Sequence, residues 1–310
     1  MPSATEVSQV VLSNLGPMTT VFTPPASCAT ASPQLFLAFT NVPGVLPFYG
    51  RDCEKYALGD CFPSGKAIDD GRASFRSSPS LNNHGTLYYL SPASVCPDGH
   101  TTVGVAAKDG DGKVSSSGLY VPPVWTAGDS LGREPRMNPV ENIFMEALDA
   151  GETAVVCCPE NFEAGRVDGC YSPVPFSVYG DPITACYSAY QRDFGDVATV
   201  NATFTYNHTV VAGEVISYTG GSISYYTTKT ETFGPEEVKT NDMGAFEGRA
   251  AVTLVYREAG ETGSGAAGPT ETSPSAAQGW RMTTAGGGVG VLATAWTLAA
   301  LVGVAVALPW

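Results

Sequence analysis

Eight cysteines, Cys28, Cys53, Cys61, Cys96, Cys157, Cys158, Cys170 and Cys186, constrain what this chain can fold into more than any other feature. Their number is even, and they sit in a chain rich in glycine and proline. That combination reads as a disulfide framework made in an oxidising compartment. Zinc would ask for paired knuckles two to four residues apart, and the only close pair here is the adjacent Cys157-Cys158. Neighbours on a strand point to opposite faces, so Cys157 and Cys158 are expected to bond to different partners. The preferred local pair is Cys158–Cys170, with Cys53–Cys61 next. No candidate cofactor or metal ligand set emerges from these residues.

The pattern between the cysteines is mainly β. Runs at Thr19–Phe22, Leu35–Phe39, Thr86–Leu90, Thr101–Ala106, Leu119–Val121, Thr153–Val156, Val197–Val211, Glu214–Thr219, Ser222–Thr228 and Ala250–Tyr256 are divided by Gly, Pro, Asn and Asp clusters. Thr219-Gly220-Gly221-Ser222 is a two-residue hairpin signal. The clearest helical stripe is Pro139–Leu148, carrying Ile143, Phe144 and Leu148. The expected fold is therefore a disulfide-stapled, β-rich ectodomain with little helix, spanning 17–258, with 17–190 and 191–258 as a two-part alternative. Residues 1–16 are expected to be a disordered lead.

From Val200 to Val210 apolar and polar residues alternate, which places Val200, Ala202, Phe204, Tyr206 and Val210 on an inner face. The outer face then carries Asn201, Thr203, Thr205, Asn207 and Thr209. Two glycosylation sequons fall there, Asn201-Ala202-Thr203 and Asn207-His208-Thr209. Both point to the same oxidising compartment as the cysteines.

The chain after Gly260 changes character. Residues 259–288 are Gly, Ala, Ser, Thr and Pro with few large apolar side chains, the composition of a flexible stalk that cannot pack a core. Val289–Trp310 is apolar and uncharged, long enough as a helix to cross a hydrocarbon core of about 30 Å. The small residues at Ser275-Ala276-Ala277, a polar spacer and this run also follow the layout of a GPI signal, with Ser275 as the attachment candidate. Either anchor makes the membrane a partner. Residues 1–14 lack the basic and apolar regions of a secretory signal, so an outside location rests on the cysteines and sequons.

Catalytic motifs are incomplete. Gly128-Asp129-Ser130-Leu131 spells an esterase nucleophile motif, but the only histidine downstream is His208, with Thr205 where its partner aspartate belongs. Asp109-Gly110-Asp111 starts like a calcium loop and then departs at Lys113 and Val114, so a hairpin turn is expected. Gly59–Lys66 is one residue too long for a phosphate loop. His84, His100 and His208 share no metal-ligand spacing. A net charge of −14 excludes nucleic acid as a natural partner.

Three cysteine motifs carry a resemblance. They are Thr19–Cys28 (TTVFTPPASC), Tyr89–Gly99 (YLSPASVCPDG) and Thr153–Pro159 (TAVVCCP), followed by Cys170-Tyr171-Ser172. Residues 15–190 resemble a group of filamentous-fungal cell-surface proteins with TTxFTPPxSC, YSPxxCPxG and CCPxG motifs and a C-terminal hydrophobic anchor. This chain departs from them at Glu160-Asn161-Phe162, where Ser-Gly-Tyr and a further cysteine would be expected. The resemblance implies a non-enzymatic surface or cell-wall protein of structural, adhesive or sensory role, with wall polysaccharide as a partner and no activity to carry over. The alternatives are a wall-polysaccharide hydrolase with an unrecognised carboxylate pair and a tail-anchored membrane protein facing the cytosol.

Overall fold

A computed structural model describes residues 1–30, 32–40, 47–53, 56–77, 85–121, 138–165, 169–180, 183–192, 197–206, 209–218 and 223–257. The chain is mainly β with four disulfides, as the sequence implied. Ser275 and the stalk and anchor segments at 259–310 lie outside the described residues. Among the described residues no helix is long and apolar enough to cross a membrane.

The chain opens with β1 (Glu6–Val7) and β2 (Val10–Asn14), which corrects the expectation of a disordered lead. Val10 and Leu12 are buried and alternate with more exposed neighbours, as a half-buried strand requires. The turn between these strands is Ser8-Gln9, both at positive φ, 49° and 64°. Such a two-residue hairpin loop normally advertises itself with Asn or Gly. Here it does not, which is why the segment reads as irregular.

After β3 (Gln34–Phe39) and β4 (Pro47–Gly50) comes α1 (Gly65–Ser77), a helix the hydrophobic pattern did not reveal. Its buried side is narrow: Ile68 is buried, and Gly71 lies against the Tyr88 hydroxyl. Next come β5 (Gly85–Tyr89), β6 (His100–Lys108) and β7 (Val114–Gly118). The β6–β7 hairpin turns through Asp109–Lys113, and Asp109 Oδ1 accepts from the Asp111 and Lys113 backbone N–H groups at 3.0 and 2.8 Å. A strand had been expected at Leu119–Val121; the structure instead puts β7 in the serine-rich stretch before it. Thr19–Phe22 is likewise not a strand.

Helix α2 (Val140–Ala147) confirms the one helical stripe read from the sequence. Pro139, extended at ψ 147°, precedes it, and Leu148 returns to extended backbone at ψ 133°. It buries Ile143, Phe144, Met145 and Ala147, with Phe144 edge-on to Tyr89 and Tyr120.

Strand β8 (Glu152–Pro159) follows, buried from Glu152 through Cys158. Ala154 and Val156 point into the cluster formed with α2, while Val155 and Cys157 join a second cluster with Leu90, Val252 and Leu254. The chain continues through β9 (Glu163–Ala164), β10 (Gly169–Val174), α3 (Phe176–Tyr179), β11 (Ile183–Arg192), β12 (Val197–Tyr206), β13 (Thr209–Tyr218), β14 (Ile223–Phe233), α4 (Pro235–Thr240), β15 (Met243–Ala250) and β16 (Val252–Arg257).

Two large layers result. One has the order β14-β11-β4-β3-β15-β10-β9. The other joins β16-β8-β6-β7 to β1-β2-β5, because Leu90 donates to the Thr253 carbonyl at 2.9 Å and accepts from Val255 N–H at 2.8 Å. Only Ala251 separates β15 in the first layer from β16 in the second.

Strands β11 and β14 pair in the first layer, Ile183 opposite Phe233 through Arg192 opposite Ile223, while β12 and β13 form a separate two-stranded ribbon, Val197 opposite Tyr218 through Tyr206 opposite Thr209. The strand β11 runs through the 190/191 point. The expected single strand Val197–Val211 is therefore two, turning between Tyr206 and Thr209. A two-residue turn reverses the parity of the return strand. Val211, not Val210, lies opposite Phe204, and Val210 is 67% exposed. The Gly220-Gly221 hairpin is also corrected: β13 pairs with β12, and β14 with β11.

Phe204 is 6% exposed, whereas Thr205 is exposed and uses its backbone rather than its side chain. Phe204→Ala should destabilise the fold by about 3 kcal/mol. Thr205→Ala should stay within about 0.5 kcal/mol of the parent. Denaturant melts of the two variants check this; equal losses would place Phe204 outside the core.

Candidate functional site

All eight cysteines are paired, as Cys28–Cys61, Cys53–Cys186, Cys96–Cys157 and Cys158–Cys170. Cys157 and Cys158 do take different partners, and Cys158–Cys170 is the expected local bond. The Cys53–Cys61 pairing is corrected. Cys53 lies beside Thr230 on β14, the outer strand of the first layer, while Cys61 ends a short turn that faces Cys28. Closeness in sequence misled because Phe62, next to Cys61, packs against the cluster of Leu90, Val155 and Val252 in the other layer. With every cysteine in a disulfide, no thiolate is left to bind a metal. Among the described residues, no three His, Cys, Asp or Glu side chains are grouped to hold one.

The ribbon carries the glycosylation candidate Asn201. Both Asn201 and Thr203 are exposed on β12, opposite Glu214 and Ala212 of β13. The second candidate, Asn207, lies outside the described residues, as do His208, His84 and Gly128–Leu131 with Ser130. His100 is half-buried at the start of β6, with Nδ1 3.0 Å from the Asp98 carbonyl. In the loop that resembled a phosphate site, the backbone N–H groups of Leu58 and Gly59 are occupied by Asp69, at 3.0 and 2.8 Å.

A polar joint that sequence reading missed holds the ribbon to α2. Glu146 accepts from Asn138 Nδ2 at 3.0 Å, Asn142 Nδ2 at 3.3 Å and the Thr205 backbone N–H at 2.8 Å. Asn138 Nδ2 also reaches Ser8 Oγ at 3.0 Å, and Asn142 Nδ2 donates to Asn138 Oδ1 at 2.6 Å. Part of the signal was present as spacing: Asn142 and Glu146 are four residues apart and share one face of α2, whereas Asn138 precedes the helix. Lys108 Nζ donates to the Glu146 carbonyl at 3.1 Å and to the Leu148 carbonyl, a cation on the open carbonyls at a helix end.

Beyond the helix, Glu152 is fully buried. It accepts the Asp149 backbone N–H at 2.9 Å, pairs with Arg257 at 3.4 Å and meets the Met1 amino group. Asp149 accepts from Ser3 Oγ at 2.8 Å. These carboxylates are engaged within the fold, an arrangement that fixes segments together rather than one that presents acids to a substrate. A cavity of about 20 Å³ beside Tyr120, Phe144, Val156 and Thr253 has room for a water molecule and not for a sugar ring.

Comparison with family models, with curated proteins and with solved structures finds no match to this chain.

Two tyrosines report on the first layer. Burial pushes Tyr49 up to about 12, with Glu231 adding to the effect, and burial does the same to Tyr179, also to about 12, against an opposing pull from Arg51. Both stay neutral in the fold while their unfolded counterparts ionise near 10.0. Their contribution is therefore complete below pH 10 and is lost as pH rises toward 12. Alkaline titration followed by tyrosinate absorbance should show a late class that ionises together with loss of near-ultraviolet dichroism. A single class near 10 with the fold intact would contradict this burial.

The disulfides should also differ in access. Cys158 and Cys170 are both completely buried, whereas Cys53 is exposed. Exchange requires a thiolate to reach a sulfur. Limited reduction of the native protein, mapped by alkylation and mass spectrometry, should open Cys53–Cys186 well before Cys158–Cys170; the reverse order would contradict the buried placement.

Proposed function

We propose that this chain is a non-enzymatic cell-surface protein: a disulfide-stapled, glycosylated β ectodomain on a flexible stalk, tethered to the outer face of a membrane. Its role is structural, adhesive or sensory, at a fungal plasma membrane or wall, with wall polysaccharide as the expected contact. The observation that carries this reading is the closure of all eight cysteines into four disulfides, a state that persists in secreted and surface proteins and is rare in the cytosol. Supporting it are the exposed Asn201-Ala202-Thr203 sequon and the apolar run Val289–Trp310. The tether in this reading is a GPI anchor attached at Ser275, supported by the small residues Ser275-Ala276-Ala277, the polar spacer after them and the apolar run Val289–Trp310.

Expression of the full chain in a filamentous-fungal host tests this directly. Surface labelling of intact cells should reach the protein, and N-glycanase should lower its mass, less so in Asn201→Gln. Alkylation after denaturation without reductant should find no free thiol. Phosphoinositide-specific phospholipase should shed it. Reactive thiols together with no glycan would overturn the surface reading, and protein that resists the phospholipase while a GPI-anchored control is released would favour a spanning helix.

A further inference from the structure

The outermost strand of the larger layer is β14, and part of it reads Thr228-Lys229-Thr230-Glu231-Thr232. One edge of this stretch pairs with β11, Thr228 opposite Ser188 and Thr232 opposite Thr184. Among the described residues no strand pairs on the other edge, and all five residues are exposed. An open strand edge presents unpaired N–H and C=O groups to any second strand. Charged residues on an edge usually discourage such pairing. Here their order does something more specific.

We propose that β14 is a self-association edge, on which a second copy of this chain adds its own β14 antiparallel about Thr230. Run backwards, the stretch is its own complement: Thr228 meets Thr232 of the other copy, Thr230 meets Thr230, and Lys229 meets Glu231 twice. Directly opposite charges on one face of a sheet attract, and Thr–Thr pairs hydrogen-bond. The same order rejects the alternatives. A parallel pairing in register sets Lys229 on Lys229 and Glu231 on Glu231. Sliding the antiparallel pair by two residues does so at one of the two charges in each direction. A slide of one residue sends the side chains to opposite faces. The edge is thus selective for one two-fold arrangement, an isologous contact that closes as a dimer and does not propagate. Cys53–Cys186 supports the edge from behind, with Cys53 Sγ 3.5 Å from Thr230 Oγ1. The proposal concerns assembly and holds whether or not the surface role above is correct.

The test is charge exchange in the full-length chain, kept in non-ionic detergent and followed by sedimentation across a range of concentrations. The parent should show a concentration-dependent dimer. Lys229→Glu and Glu231→Lys each convert both attractive pairs into repulsive ones, so each should weaken the dimer by about tenfold or more. The double exchange Lys229→Glu with Glu231→Lys restores both pairs in reversed order and should recover parental association. Both side chains are exposed, so near-ultraviolet dichroism should stay unchanged in all three variants. A parent that stays monomeric throughout overturns the proposal, as does a dimer indifferent to the single exchanges, or a double exchange as weak as either one. Association through the apolar C-terminal run would leave all four proteins alike, which is one of these overturning results.

Discussion

Strand β8 is the element on which the rest of the structure depends. Seven consecutive residues, Glu152 to Cys158, are buried, so both faces of this strand must be covered by protein. One face takes Ala154 and Val156 under α2, and the other takes Val155 and Cys157 under Leu90, Val252 and Leu254. Its neighbours β6 and β16 satisfy the backbone on both edges. At its far end the adjacent cysteines diverge. Cys157 holds the loop after β5, and Cys158 holds β10 of the other layer. The two layers are therefore joined covalently at the point where the chain leaves one for the other.

At the opposite end of β8 the same role falls to polar groups. Glu152 is the only acidic side chain among the described residues that is completely buried, and it is held by Arg257 and by the backbone of Asp149. One turn back along the chain Glu146 ties α2 to the ribbon and, through Asn138, to Ser8 of the amino-terminal hairpin. Asn138 and Asn142 are buried, so removing Glu146 takes a hydrogen-bond partner from two buried amides, which is costlier than the mean strength of one bond. The fold is thus clamped by sulfur at one end of its central strand and by carboxylates at the other.

The ribbon is the part least dependent on that core. Strands β12 and β13 pair only with each other among the described residues, and the Thr205 backbone N–H reaches Glu146 of α2. A two-stranded ribbon alone is marginal in water, so seating it on α2 gives it an apolar face to bury. Its outward face is left for Asn201 and Thr203, which are exposed on β12.

The mainly β character, the α2 stripe, the different partners of Cys157 and Cys158, and the Asp109 hairpin were legible from the amino acids, because each rests on contacts within a few residues. Alternation of side chains, helical spacing and turn chemistry are local rules. The amino-terminal hairpin escaped because Ser8-Gln9 takes a turn usually marked by glycine or asparagine, and α1 escaped because its apolar stripe is thin. Three features were decided only by the tertiary structure: the Cys53–Cys186 bond across 133 residues, the exchange of strands between layers at Ala251, and the turn that puts Val211 rather than Val210 beside Phe204. Each depends on which distant segment arrives alongside. Local sequence carries no record of that, because the pairing is settled by burial summed over the whole chain rather than by the residues at the contact.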